Sequence, residues 1–274
     1  MTGFSWMKAL AAGALMGAML VFPRQAAESA LAALQLFAVK ILPGLLPFSV
    51  CALLLTAGHT LPASALVLLA LPAGSPVGAR LFQNAGLSAD RSRRAAACTG
   101  VMSPMFFLYT VSAWMNDARV GRLLLAAHIL SALLCGCFFP RWPRKRISLP
   151  YLSAPQAVAQ GAQAMLTVAA CVALGTVSAR MLYCALPGLP PAAVAAAQSL
   201  LEVSSGTKAL IAQDAPLPAI AACAGFTGLS ILLQNASFWQ KNGLTLFDLT
   251  KIALLRAAIA FVLCLAALPL FARG

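Results

Sequence analysis

The chain has 274 residues, of which 61% are apolar and only 9% are charged, with a net charge of +13 at pH 7. Soluble domains carry about 25% charged residues, so this composition excludes a soluble fold, and the abundant apolar area excludes a disordered chain. Long continuous apolar runs exclude a transmembrane β-barrel, and the scattered cysteines exclude a disulfide scaffold. The basic residues lie in short loops between apolar runs, which is typical of membrane proteins rather than of nucleic-acid binding. We therefore predict an all-α polytopic membrane protein whose partner is the lipid bilayer.

The apolar runs divide the chain, in order, into four parts. Residues 1–25 hold an N-terminal transmembrane helix, which we expect to be retained; the run is also compatible with a cleaved signal peptide. Residues 26–139 and 156–274 each contain a long apolar run, an irregular region and a plain helix. The first of these long runs is predicted to kink near Pro43. The basic, proline-rich linker over 140–155 is predicted to be cytoplasmic.

Two short motifs recur in the two irregular regions. PVGAR at 76–80 aligns with SSGTK at 204–208, and AACTG at 96–100 aligns with AACAG at 221–225. Each half is therefore predicted to run through a helix, a re-entrant hairpin, a broken helix and a plain helix, with arms too short to cross a bilayer at each break. The predicted bounds are 63–86 and 191–213 for the hairpins, 95–114 and 219–239 for the broken helices, and 123–139 and 247–271 for the plain helices. Chance similarity between alanine-rich helices is the alternative.

The distribution of basic residues predicts the orientation. With the hairpins counted as zero crossings, each half crosses three times, so the second repeat is inverted relative to the first. With a cytoplasmic N-terminus, the inner loops contain most of the basic residues, Lys8, Arg144 and Lys145 among them, and the outer loops contain fewer, such as Arg24 and Arg273. We predict about seven crossings, two hairpins that enter from opposite faces, and an outer C-terminus.

Broken segments at matching positions in two repeats indicate a transporter's substrate site, because irregular backbone at membrane depth must be satisfied by protein or water. Kinked helices of a structural membrane protein are the alternative. Four helix starts are expected to converge near the midplane and to present free N–H groups, which favours an anion. These starts lie at Ser75, Ser103, Ser205 and Thr227. The candidate substrate-binding residues are Ser75, Gly78, Arg80, Ser103, Glu202, Ser204, Ser205, Gly206, Lys208, Thr227 and Asn235.

Arg80 and Lys208 are the predicted charge partners of this anion. They occupy matching repeat positions, one turn into the second arm of each hairpin; snorkelling to an interface is the alternative. Glu202 is the only acid in the buried segments, and we expect it to pair with one of these cations or to contact a polar substrate or coupling cation. Lys40 is a further candidate for the cavity, whereas Arg180 lies near a helix end and is expected to snorkel.

The chain offers no pattern typical of an enzyme. It lacks an HExxH motif, a pair of membrane-embedded aspartates, a nucleophile elbow and a P-loop, so we predict no catalytic residue, no metal site and no cofactor. Gln234 and Asn235 are expected to bond a ligand or to hold helices together. His128 lies in a plain helix and has no metal-binding partner at a useful spacing. A homo-oligomer is left open.

Five short motifs occur in an order that resembles a known family. They are LPGLLPF at 42–48, SPVGAR at 75–80, SPMF at 103–106, LEVSSG at 201–206 and GLSILLQ at 228–234. Together they resemble the sporulation integral membrane protein YlbJ (SpoVV) family, which carries the nucleoside-recognition gate domain and is similar in architecture to concentrative nucleoside transporters. The resemblance implies export of dipicolinic acid, a small aromatic dianion, across the outer forespore membrane during sporulation.

Three functions are compatible with these observations. The first is a secondary transporter of a small carboxylate anion such as dipicolinic acid. The second is a nucleoside carrier, which rests on analogy of fold alone and suits two buried cations poorly. The third is a non-transporting membrane assembly factor of sporulation.

Overall fold

The computed structural model describes residues 3–142 and 146–271. It is 81% helical, and the single sheet of this described part is an antiparallel pair of two-residue strands, β1 (Thr60–Leu61) and β2 (Ile147–Ser148). Five helical stretches are long and apolar enough to cross a membrane. They are Pro23–Thr56, Ala118–Cys137, Ala154–Ala185, Leu217–Asn242 and Leu246–Pro269. The prediction of an all-α integral membrane protein is confirmed, while the number of crossings stays a prediction.

The described helices follow the order of the two predicted repeats. Those of the first half are α1 (Gly3–Val21), α2 (Pro23–Leu36), α3 (Leu42–Thr56), α4 (Ala63–Ala73), α5 (Val77–Phe82), α6 (Ala89–Thr99), α7 (Ser112–Met115) and α8 (Ala118–Cys137). Those of the second half are α9 (Ala154–Ala185), α10 (Pro191–Leu201), α11 (Val203–Ala212), α12 (Leu217–Phe226), α13 (Gly228–Trp239) and α14 (Leu246–Phe271). Among the basic residues used for the predicted orientation, Arg144, Lys145 and Arg273 lie outside the described residues, as does the side chain of Lys8.

The long apolar run at the start of residues 26–139 is continuous from α2 into α3 through a π-helical turn at Phe37–Ile41. The N–H of Leu42 donates to the carbonyl of Phe37, five residues back. Pro43 follows and has no N–H to donate, and a wider turn before it accommodates the disrupted hydrogen-bond ladder. The irregularity therefore lies just before the kink predicted near Pro43, and Lys40 belongs to the widened turn.

Two pairs of short helices occupy the regions predicted as hairpins. α4 and α5 are separated at residues 74–76, where Gly74 has a φ of +68° and ends α4. α10 and α11 are separated by Glu202 alone. α4 and α10 have 11 residues each, and such a helix rises about 16 Å, roughly half of a bilayer's apolar core.

The regions predicted as broken helices are interrupted at two points. α6 ends at Thr99, and helical structure resumes after Ser103 with a π-helical turn at Phe106–Val111 that leads into α7. α12 ends at Phe226, and Thr227 takes a left-handed φ of +67° before α13 begins. The predicted bound of 95 for the first segment is wrong, because α6 already begins at Ala89.

Three basic residues, Arg91, Arg93 and Arg94, lie in the first turns of α6. The Arg93 guanidinium donates to the carboxylate of Asp90, one turn earlier in the same helix, and to that of Asp248 on α14. The contact between Arg93 and Asp248 holds the start of α6 against the start of α14. Such charge pairs at a helix start are invisible to a hydropathy pattern, since Asp248 is distant in sequence.

The two halves of the protein share their apolar core. One buried cluster joins Leu66 of α4, Phe82 of α5 and Ala97 of α6 to Trp239 of α13 and Ala253 of α14. A second cluster joins residues of α8 and the second π-helical turn to residues of α10, α11, α12 and α14. α8 and α14 pack against each other and against the first segments of both broken helices. The breaks of both halves are therefore brought to the middle of the protein.

Candidate functional site

A small cavity of about 50 Å³ lies where the two hairpins and the first broken helix meet. Its polar lining residues are Lys40, Ser75, Ser103, Glu202, Ser204 and Gln234. The remaining lining is apolar and comes from α3, α9, α13 and the segment that follows Gly100. Four of the predicted site residues, Ser75, Ser103, Glu202 and Ser204, are brought together here.

The tip of the first hairpin is bonded to both halves. The hydroxyl of Ser75 donates to Oδ1 of Asn235 on α13 at 2.7 Å, and its backbone N–H donates to the carbonyl of Val101 at 2.7 Å. Ser75 and Asn235 are both buried. Of the two expectations for Asn235, the structure shows the one in which it holds helices together.

The tip of the second hairpin carries its own cap. The Glu202 side chain is only 1% exposed, and its carboxylate accepts the N–H of Ser204 at 2.9 Å and that of Ser205 at 2.6 Å. Glu202 forms no ion pair with any cation of the described residues. Its expected pairing with Arg80 or Lys208 is therefore wrong. The expectation of free N–H groups at Ser205 is wrong as well, because this carboxylate already occupies the start of α11.

Arg80 and Lys208 do not meet in the central cavity. Nη1 of Arg80 donates to the carbonyl of Gln160 at 2.7 Å, and the side chain lines a separate cavity of about 150 Å³. Lys208 lines another cavity, of about 350 Å³, which shares no lining residue with that of Arg80. The prediction of one shared pocket is wrong. Each cation lies about one helical turn beyond the residues that line the central cavity, where Arg80 faces α3 and α9 and Lys208 faces α2, α9 and α10.

Two predicted binding residues serve close packing instead. A Cβ atom on Gly78 would lie 2.4 Å from Cβ of Thr99, and one on Gly206 would lie 2.1 Å from Cα of Ser199. Neither glycine lines the central cavity. Their equivalent positions reflect the tight contact of each second hairpin arm with a neighbouring helix, so their assignment to substrate binding is wrong.

Lys40 is the cation of the central cavity. It lies half-buried on the π-helical turn, with Nζ 4.8 Å from the centroid of the Tyr109 ring, and no carboxylate of the described residues pairs with it. Gln234 lines the same cavity, and its buried Nε2 finds no hydrogen-bond partner among the described atoms. Neither the ammonium of Lys40 nor the amide nitrogen of Gln234 has a hydrogen-bond acceptor among the described residues.

Arg256 is a buried residue that the sequence analysis missed. It is 2% exposed on α14, and its guanidinium donates to the carbonyl of Gly100 and, at 3.1 Å, to Oγ1 of Thr227. These acceptors lie at the ends of α6 and α12, where helix dipoles place partial negative charge. Thr227, predicted to bind substrate, is thus engaged by Arg256. A single arginine in the middle of a long apolar run is the signal that identifies such a residue.

His128 is a second buried polar residue, and it lies on the plain helix of the first half. His128 is 1% exposed on α8, and its Nε2 accepts the N–H of Met102 at 2.9 Å. Each plain helix therefore presents one polar side chain to a break in the backbone.

No known protein family, no curated protein and no solved structure matches this chain.

Proposed function

We propose that this protein is a secondary membrane transporter that carries a small carboxylate-bearing anion through the central cavity. The observation that carries the proposal is the surplus of hydrogen-bond donors there, led by Lys40. Dipicolinic acid is the candidate anion, on the strength of the family resemblance. The distribution of basic residues supports a cytoplasmic N-terminus, and the resemblance supports a place in the outer forespore membrane.

The polar groups that remain free in the cavity are suited to oxygen acceptors. Lys40 supplies a charged donor, and the unpartnered amide of Gln234 supplies two N–H bonds. The only carboxylate of the lining, that of Glu202, is engaged by two backbone N–H groups. A carboxylate that enters next to Lys40 and Gln234 gains charge-assisted hydrogen bonds and meets no unpaired acid.

The size of the cavity supports a closed state. A volume of about 50 Å³ holds only a few water molecules and is too small for an aromatic dicarboxylate. Movement of the hairpins relative to the surrounding helices would enlarge it, as in carriers built from inverted repeats. The break at residues 74–76 and the single-residue break at Glu202 are where the two hairpins bend.

The proposal is tested by anion uptake into liposomes that contain the purified protein. Lys40→Gln removes the charged donor, and we expect it to lower uptake of dipicolinate by about tenfold or more, the effect of one lost charge-assisted bond. Lys40→Arg keeps the charge and is expected to retain part of the flux. Lys241→Gln, which removes a lysine from the turn Gln240–Asn242, is the matched control and leaves uptake unchanged.

Other results of this assay would reject the proposal. Unchanged dipicolinate uptake by Lys40→Gln would remove Lys40 from the site. Competition by uridine without competition by dicarboxylates would instead indicate a nucleoside carrier. Absence of flux for either solute in the folded wild-type protein would favour an assembly factor.

A further inference from the structure

Two chambers flank the central cavity, and each contains one of the two repeat-related cations. On one side, two adjoining cavities of about 500 Å³ and about 350 Å³ share lining residues of α2, α9, α10 and α11, and we treat this region as one chamber. We name it the Lys208 chamber; its polar residues include Arg180, Gln198, Lys208 and Gln213. The second space, of about 150 Å³, is the Arg80 chamber, whose polar residues include Thr56, Arg80, Asn84 and Gln160.

The lining of both chambers favours negatively charged solutes. Neither contains an aspartate or glutamate among its described lining residues, and both combine cations with side-chain amides. Arg180 and Lys208 are exposed on their helices and form no ion pair within the described chain. Arg80 uses Nη1 on the Gln160 carbonyl, which leaves its other N–H groups for a ligand. Clefts of one charge sign concentrate solutes of the opposite sign.

Each chamber shares no lining residue with the central cavity, and the chain connects the two through a hairpin tip. The Lys208 chamber ends where Oγ of Ser205 lies 3.5 Å from Oγ1 of Thr176, and the N–H of Ser205 is held by Glu202 of the central lining. The Arg80 chamber is reached along α5, since Ser75 of the central lining lies just before this helix. One turn of helix therefore separates each chamber cation from the central lining.

We propose that the two chambers are antechambers that capture the anion on opposite faces of the membrane before it reaches Lys40. Lys208 and Arg180 act on one face, and Arg80 acts on the other. The inference rests on the proposed function, and it assigns to the repeat-related cations a role in entry rather than in the central site. The inverted repeat supports this assignment, because it provides the same entry device twice, once for each direction.

A sided transport assay tests the antechambers through the concentration dependence of flux. Lys208→Gln is expected to raise the half-saturating dipicolinate concentration about tenfold for anion offered from one face, with little change in maximal rate. Arg80→Gln is expected to do the same for anion offered from the other face. Lys208→Arg and Arg80→Lys keep the charge and should stay near wild type. Equal effects on both faces, or an effect on maximal rate alone, would overturn the proposal.

Thiol labelling tests the chambers without requiring transport. In full-length protein with its native cysteines replaced by serine, a cysteine is introduced at Gln213 for the Lys208 chamber or at Asn84 for the Arg80 chamber. Sealed vesicles are then treated with a membrane-impermeant anionic or cationic methanethiosulfonate. We expect the two cysteines to react from opposite faces, and each to prefer the anionic reagent.

The dependence of this labelling on the chamber cation is a second test of the proposal. Adding Lys208→Gln to the Gln213→Cys protein should lower the preference for the anionic reagent by about tenfold, while adding Lys241→Gln should not. Labelling of both cysteines from one face, or a preference that survives Lys208→Gln, would overturn the antechambers. If the labelling is as expected but no dipicolinate flux is measured, the proposed function fails and the anion-attracting chambers remain.

Discussion

The two halves of the protein satisfy their hairpin tips with different chemistry. In the first half, the hairpin tip is neutral and is bonded to the other half through Ser75 and Asn235. In the second half, the tip is acidic, and Glu202 binds the N–H groups of its own helix. The plain helices differ likewise, with His128 accepting one N–H and Arg256 donating to two acceptors. Each half thus satisfies the backbone at its breaks in its own way.

The two plain helices differ most, because a charged arginine on α14 serves two acceptors whereas a histidine on α8 accepts one N–H. Arg256→Met should therefore have the largest effect on stability. The substitution leaves the carbonyl of Gly100 and the hydroxyl of Thr227 buried without their charged donor. We expect a loss of about 3 kcal/mol in the free energy of unfolding. Unfolding in mixed detergent micelles measures it, with Arg256→Lys as a partial rescue. A loss below that of Lys251→Met, on the same helix, would contradict this role.

The acidic hairpin tip gives the next largest effect. Glu202→Gln replaces a carboxylate that accepts two N–H groups with an amide that has one acceptor oxygen, and we expect a loss of about 2 kcal/mol in the free energy of unfolding. Glu28→Gln is the matched control, because Glu28 forms only an exposed ion pair with Arg24. Equal losses for the two variants would show that the Glu202 cap does not stabilise the hairpin.

Loss of the side-chain hydrogen bond at the neutral tip of the first hairpin should lower the stability less. Ser75→Ala deletes one hydrogen bond to Asn235, and we expect a loss of about 1 kcal/mol in the free energy of unfolding. A double-mutant cycle with Asn235→Ala isolates the bond, and its coupling energy should be of the same size. Additive losses would mean that the two side chains do not stabilise each other.

The smallest effect is expected where the two plain helices begin. α14 is capped reciprocally by Thr245 and Asp248, whereas α8 is capped by Asp117, which accepts the N–H of Arg119 at 2.7 Å. This hydrogen bond holds the pKa of the Asp117 carboxyl below its ordinary value. The stability it contributes is therefore present above the unfolded-state pKa and is lost as the pH falls through the lower folded-state pKa.

Asp117→Asn measures this contribution. Its thermal midpoint should lie slightly below that of the wild type at neutral pH, and the difference should shrink as the pH is lowered into the acidic range. A difference that is independent of pH would assign the effect to packing rather than to the charge of the cap.

Hydropathy and helix-breaking residues predict much of the fold, but they do not predict the hydrogen-bond partners of polar residues. The apolar runs locate the long helices, and the Gly-Ser-Pro sequence at 74–76 locates the first hairpin break. The contact between Ser75 and Asn235 joins residues from different halves, and no local pattern contains that information. Glu202 is visible as a buried acid, but its role as a cap depends on where α11 begins.

The electrostatic prediction fails for a related reason. Arg80 and Lys208 occupy matching positions in two sequence motifs, but a match in sequence does not place two side chains in the same cavity. Lys40 and Arg256 each lie within a long apolar run, where a charged side chain is costly in free energy and therefore indicates a function. The sequence does not show which backbone groups these side chains contact. The location of Arg256 between α6 and α12 follows from the packing of α14 against both.

The guanidinium of Arg256 also constrains which parts of the protein can move independently. It donates to the carbonyl of Gly100 at the end of α6 and to the hydroxyl of Thr227 at the end of α12. These bonds join both helices to α14 as a single frame. In the proposed transport cycle the hairpins therefore move relative to this frame, because separating α6 from α12 would leave the Arg256 charge buried without its acceptors.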